Sequence, residues 1–268
     1  MTMKIENIIQ KIKSDTGFTP IMAAELEFYS GDETLETIRE KLRQNKIPVI
    51  KIEREKGLSQ FEIALPPTSD IAALAGNIAR AKEVISGDFS AKPDENQPGS
   101  GLHIHLSLHD KSGKNIFAKA GDAEALEMLY AIGGLLAVLP ESMIYFAPNA
   151  DSYKRFTANY HAACETYDNA PTKICWGGNN RTAAIRIPES TASPENRHIE
   201  HRVPGADADP FAAIAAILAG AHYGLMNQIN PPEKIYGNAY EPQYKSAKLP
   251  GNLAEAERLS REGSILKN

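Results

Sequence analysis

Cysteine is nearly absent. The 268 residues contain two, Cys164 and Cys175, too few for the disulfide framework of a small secreted domain. No stretch approaches the roughly 18–20 continuous apolar residues of a membrane span. The run expected to be the most apolar, Phe211 to Leu225, is shorter and carries Gly220 and His222. An excess of positive charge is missing too. Twenty-nine Lys and Arg stand against 34 Asp and Glu, and the resulting net charge of −5 gives no bulk field for nucleic acid or an anionic membrane. The opening residues MTMKIE lack an apolar run followed by a cleavage site. The expectation is a cytoplasmic protein without a nucleic-acid or membrane partner.

What is present fits one globular unit. Hydrophobic residues make up 42% and charged residues 24%, which excludes collagen-like, coiled-coil and wholly disordered classes. A chain of this length buries a core without staples. One domain over residues 1–268 is expected, with a short N-terminal helix within 1–19 and a C-terminal tail segment at 231–268. Ile5, Ile8, Ile9 and Ile12 recur at helical spacing and predict a helix over 3–14. Strands are expected at 21–29, 47–53 and 59–65, with a charged helix at 33–45. Thr68 or Ser69 is the expected cap of a helix through Val84, and the breaker-rich 87–98 reads as a loop. Over 100–109 the sequence alternates cleanly, with Leu102, Ile104, Leu106 and Leu108 on one side and His103, His105, Ser107 and His109 on the other. A helix follows at about 122–139, then an irregular stretch over 147–170. Strands are expected at 172–176, 181–187 and 199–203, and Asp209-Pro210 opens a long helix to about 228. The fold class is α+β, a mainly antiparallel sheet with helices packed on its outer face.

Acids and imidazoles fall on the same strands. Glu25 and Glu27 are two apart, so their carboxylates project the same way. Taken alone this is a solvated strand face. Glu53, Glu55 and Glu62 add acids on two further strands, and crowded carboxylates repel unless a cation lies between them. His103 and His105 form a possible zinc pair, with His161 or His201 as a third ligand, or simply a polar face. Gly99-Ser100-Gly101 is a weak anion-loop signal, with no lysine after it to make a P-loop. Arg155, Arg181, Arg186 and Arg202 are either salt-bridge surface or phosphate contacts. A bend is needed for Arg181 and Arg186 to converge, since a strand puts residues five apart on opposite faces.

Six segments taken in order resemble the catalytic domain of the glutamine synthetase family: AELEFY at 24–29, EKGLSQFE at 55–62, GSGLHIHLSL at 99–108, PNADSYKRF at 148–156, NRTAAIRIP at 180–188 and IEHRVPGADADPFAAIAAILAG at 199–220. The resemblance implies two sites for Mg2+ or Mn2+. Glu27, Glu55 and Glu62 would hold one ion, with Glu53 close enough to take the place of Glu55. Glu25, His103 and Glu200 would hold the other. It implies further that His105, Arg181 and Arg186 contact the phosphates of ATP, and that Ser107 lines the nucleotide pocket. Gly99, Arg155 and Arg202 would meet the acid substrate, with Arg155, Arg202 and Arg181 serving the transfer itself. The implied reaction activates glutamate, or a related acid, as an acyl phosphate that an amine then captures.

The sequence departs from the family in four ways, three of them large. A single short helix precedes Glu25, where the family carries a β-grasp domain that closes a neighbour's site and supplies an ammonium-binding Asp. The stretch between Glu27 and Glu55 is short. Asn169 stands before Ala170-Pro171, where the family has a flap Glu, and Glu165 and Asp168 are the nearby acids that would replace it. Pro98 occupies the place of a substrate-binding Asn. The expectation is a ligase using an amine other than ammonia, with a homo-oligomer or partner chain supplying the missing wall. The alternatives are a nucleotide-binding pseudoenzyme, a phosphotransferase without ligation and, last, a zinc hydrolase.

Overall fold

The computed structural model describes residues 4–119, 123–189 and 193–266. In chain order the elements are α1 (Ile5–Thr16), β1 (Thr19–Tyr29), α2 (Leu35–Gln44), β2 (Lys51–Arg54), β3 (Gln60–Thr68), α3 (Ile71–Val84) and β4 (Leu102–His109). There follow α4 (Leu126–Phe146), a hairpin of β5 (Tyr160–His161) and β6 (Thr166–Tyr167), β7 (Trp176–Gly177), β8 (Ile185–Arg186), β9 (Ile199–His201), α5 (Pro210–Asn227) and α6 (Leu253–Glu262). One sheet has the order β2-β3-β1-β4-β9-β8-β7, antiparallel throughout except for the β7–β8 pair.

The alternation along β1 divides the molecule. Met22, Ala24, Leu26 and Phe28 are buried, while Ala23, Glu25 and Glu27 between them are half-buried. The buried set joins the core made with α1 and α3, and α5 packs on both of those helices and on α4. Helices therefore cover one face of the sheet, and the acids occupy the other.

Several boundaries differ from expectation for local reasons. Asp70, not Thr68 or Ser69, caps α3, accepting from the Ala73 N–H at 3.1 Å. Thr68 still belongs to β3, and its hydroxyl accepts from the Asp70 N–H instead. The second strand begins at Lys51 because Ile47 still bonds back to the end of α2 and Pro48 has no N–H to give a ladder. Strands β7 to β9 are only two or three residues long. The start of the helix expected at 122 lies outside the described residues, and α4 runs through Pro140 to Phe146. Packing against α5 and α6 holds it past the proline.

Both α4 and α5 are long and apolar enough to cross a membrane, α4 being the more apolar, yet each is mostly buried inside the fold. A Cβ on Gly134 would lie 2.4 Å from the Gly224 Cα, so the two helices touch backbone to backbone. They are core helices.

Candidate active site

Strand register assembles the acid-bearing face. Glu25 pairs with His103, Glu27 with Glu62, and Glu200 with both His105 and Arg186. Directly opposed residues share a face, so these side chains converge without help from any loop. Glu27, Glu55 and Glu62 each offer a carboxylate oxygen within 4.8 Å of the others, and Glu25, Glu62 and His103 form a second such group. Glu62 belongs to both. Glu53 also opposes Glu62, but its carboxylate turns to Lys51 at 2.5 Å.

Glu200 adjoins the second group rather than joining it. Its Oε1 lies 3.6 Å from His103 Nδ1, but the carboxylate is fully buried between Arg202 and Arg186, the latter at 2.5 Å. A carboxylate this deep needs such partners. Burial opposes ionisation, yet Arg202, His103, His105 and Arg186 hold Glu200 at about 2.

The remaining acids behave in opposite ways. Burial, then the charges of Glu25, Glu27 and Glu55, push Glu62 up to about 10. Burial and Glu27 raise Glu55 as well. Glu25 goes the other way, for although burial opposes it, His103 and His105 keep its carboxylate well below the usual range. Those imidazoles are not satisfied by hydrogen bonds. His103 Nδ1 and His105 Nε2 are buried without partners, 3.5 and 3.4 Å from the Glu25 oxygens. Such gaps are too long for good hydrogen bonds but suit donor atoms arranged around a shared cation. The donor set, mostly carboxylate oxygen with imidazole, fits Mg2+ or Mn2+. His161 and His201, the third ligands that zinc would need, lie elsewhere: His161 bonds Asp168 at 2.7 Å, and His201 is buried against Phe146.

Two cavities meet at this group. The larger, about 1020 Å³, is lined by His105, Ser107, Arg181, Arg186, Asn179 and His198. The smaller, about 40 Å³, is lined by Glu27, Glu55, Glu62, Gly99, Arg155 and Arg202, with Lys56 and Asn169. Glu25 and Arg181 line both. The bend that lets Arg181 and Arg186 share a wall is a turn before β8, where Asn180 Oδ1 accepts from the Thr182 N–H at 3.0 Å.

The arginines differ in freedom. Arg155 is buried and donates to the carbonyls of Val203 (2.9 Å) and Arg202 (3.1 Å). Arg202 donates to Arg181 O at 3.2 Å besides pairing with Glu200. The Gly99-Ser100-Gly101 segment is not a free anion loop. The Gly101 N–H donates to Glu27 at 2.6 Å, and a Cβ on Gly101 would lie 2.6 Å from both Arg155 Nη2 and His103 Nε2. Glycine is needed there because the backbone runs against two site side chains.

Neither acid near the flap is poised as a base. Asp168 accepts from Lys92 (2.8 Å), His161 (2.7 Å), Thr157 (2.5 Å) and the Asn159 N–H (3.0 Å). Burial opposes ionisation, but the bonds from Lys92, Thr157 and His161 hold its carboxyl below the usual range. Glu165 is exposed on the β5–β6 turn.

Sequence reasoning missed His198, Lys56 and Lys92. His198 sits two residues before Glu200, packed against His105 with ring centroids 5.0 Å apart, so strand periodicity had the signal. Lys56 follows Glu55 directly. For Lys92, in an irregular loop, there was none.

Residues 30–268 match the family model described as glutamine synthetase, catalytic domain. Gamma-glutamylputrescine synthetase of Escherichia coli strain K12 is 33% identical over 220 residues, covering 79% of this chain and 44% of that protein. Glutamate–isopropylamine ligase of a Pseudomonas species is 31% identical over 253 residues, covering 90% and 53%. The chain thus spans about half the length of the curated relatives it matches. A solved GmaS/ADP complex shares the fold, with a TM-score of 0.83 at 22% identity, covering 97% of this chain and 67% of that one. The family match, agreeing with the register-built acid face, establishes that this chain belongs to the glutamine synthetase catalytic-domain family.

Proposed function

We infer that the protein is an ATP- and divalent-metal-dependent ligase joining glutamate, or a related acid, to an amine. The observation that carries this reading is the junction of the two cavities. Carboxylates and imidazoles crowd there, and Arg181 reaches into both spaces. Glu27, Glu55 and Glu62 would hold one ion; Glu25 and His103, with Glu62 shared and Glu200 alongside, would hold a second. Bound there, divalent ions supply screening of the two anions that must approach each other.

The rest follows from the protein's own groups. His105, Ser107, Arg181 and Arg186 bind and orient the nucleotide in the large cavity. Arg155 and Arg202 form the floor of the small one around Gly99, and orient the acid. A γ-carboxylate oxygen attacks the γ-phosphorus of ATP, the bond from that phosphorus to the bridging oxygen breaks, and ADP leaves. The amine nitrogen then adds to the acyl carbon, phosphate departs, and the amine gives up a proton. The confined small cavity limits water attack on the acyl phosphate.

An amine other than ammonia is favoured by Asn169, which cannot take a proton where the family places a Glu, and by Asp168, whose carboxylate is already held by four donors. Relatives whose names specify amine ligases support the same choice. A second protomer or a partner chain forming part of the amine-side wall belongs to this reading. The test is ADP release with magnesium-ATP across a panel of acids and primary amines. Turnover that requires both substrates and vanishes in Glu27→Ala is expected. Nucleotide binding with no turnover for any pair would move the protein to the pseudoenzyme reading.

A further inference from the structure

The cations around the two cavities fall into two groups. Arg186 is held by Glu200 and Asn179, Arg202 by Glu200, and Arg155 by two backbone carbonyls. Lys56 and Arg181 are different. Among the described residues no ion pair or side-chain hydrogen bond holds either cationic group; both residues are exposed and both line the small cavity, where Lys56 feels the repulsion of Arg181 and Arg202 against the attraction of Glu55 and Glu27 without its ammonium bonding to either acid. The Lys56 main-chain N–H is used, donating to Glu55 Oε2 at 3.1 Å, which pins the residue beside the acid cluster while leaving its ammonium free.

Two neighbouring cations without protein acceptors stand ready for an anionic ligand. Position identifies which one. Arg181 reaches into both cavities, whereas Lys56 lines only the smaller. Under the ligase reading, on which this inference rests, the group that crosses from the large cavity to the small one is the phosphoryl group. We propose that Lys56 and Arg181 form an anion clamp at the junction of the cavities, seating the phosphoryl group in transit from nucleotide to carboxylate. The guanidinium meets two oxygens with its fork, and the ammonium acts as a point charge on the third. No proton moves in this step. One phosphorus–oxygen bond forms to the carboxylate as the bond to ADP breaks, and the clamp neutralises charge on the equatorial oxygens. Lys56 is then a catalytic residue.

The test measures ADP affinity by calorimetry, with magnesium and glutamate present, with and without aluminium fluoride as the phosphoryl stand-in. For the wild-type chain aluminium fluoride should tighten ADP binding. Lys56→Met should lose roughly tenfold or more of that gain, the worth of one charged hydrogen bond, while ADP alone changes less than about twofold. Lys56→Arg should restore part of it. Because Lys56 is exposed, the melting temperature of Lys56→Met should match wild type. The clamp is overturned if Lys56→Met keeps the full gain, or if it weakens ADP alone by the same factor. It is also overturned if Lys56→Met changes only the preference for glycine over methylamine in ADP release, since the lysine would then read a carboxylate on the amine. ADP binding with no gain from aluminium fluoride in wild type would remove the clamp and leave the nucleotide site standing. Absence of ADP binding altogether would bring down the ligase reading and the clamp with it.

Discussion

The two halves of the site are made of different material. The acid-and-imidazole half is built on strands, where register across β3, β1, β4, β9 and β8 fixes Glu62, Glu27, Glu25, His103, His105, Glu200 and Arg186 on one face. The loop half, which lines the small cavity with Gly99, Arg155 and Asn169, is built on mostly irregular chain, the 87–101 loop and the 155–171 segment with its two-residue strands β5 and β6. Its geometry rests on side-chain bonds, chiefly the buried Lys92–Asp168 pair, with side-chain exposures of 2% and 0%. A sheet carries precision in its hydrogen-bond ladder, whereas loops must have it supplied by buried polar contacts. The halves should therefore fail differently.

The largest effect is expected where the loop half is cut. Lys92→Met leaves the Asp168 carboxylate buried without its strongest partner and takes a donor from Gln97 O. Breaking a buried pair from one side costs about 3–5 kcal/mol. Urea unfolding should show that loss, and the KM for the acid should rise while ADP affinity holds. An equal loss of ADP affinity would mean the halves are not separable. Next comes the junction itself. Glu27→Ala should lower ADP release at least about a hundredfold, through lost charge screening between the two anions. Thermal melts should show that the fold survives.

The third prediction concerns the crowding of acids. Glu62 belongs to both candidate ligand groups, and burial first, then the charges of Glu25, Glu27 and Glu55, disfavour its ionised form. Magnesium at a hundred times its dissociation constant should stabilise the wild type by about 2.7 kcal/mol. Glu62→Gln should lose most of that gain, and should melt no lower than wild type when magnesium is absent. A full magnesium response in Glu62→Gln would place the ion elsewhere.

The same contrast explains what could be read without coordinates. Period-two alternation over 100–109 and the Glu25/Glu27 spacing gave the face, because in a strand the facing of a side chain follows from its position alone. Asp209-Pro210 marked α5 because a cap and a fixed φ act locally. Glu200 was placed on the right strand, but its capture by two arginines was not legible. That depends on Arg186 arriving on β8 from 14 positions earlier and on Arg202, two residues on, turning back onto the same carboxylate. Asp168 was read as an available acid because nothing near it in sequence announces Lys92, a residue 76 positions away. α4 outlasted Pro140 for a similar reason, since packing between helices outweighed a local stop signal. Short strands such as β7 and β8 carry too few residues for any period to register.

The smallest effect separates the halves by pH. The folded-state pKa of Asp168 lies below its unfolded value, near 3.9, since burial is outweighed by the bonds from Lys92, Thr157 and His161. Stability from this group is therefore present above about pH 4 and drains away as pH falls from there to the folded value, because over that interval the unfolded carboxylate binds a proton that the native one does not. Asp168→Asn keeps an acceptor and should cost about 1–3 kcal/mol at pH 7. It cannot titrate, so its disadvantage against wild type should shrink as urea melts are repeated from pH 5 down to pH 3. A gap that stays constant over that range would mean that the amide's altered hydrogen bonding, not the lost charge, weakens the latch. The loop half would then be held by shape, as the sheet half is.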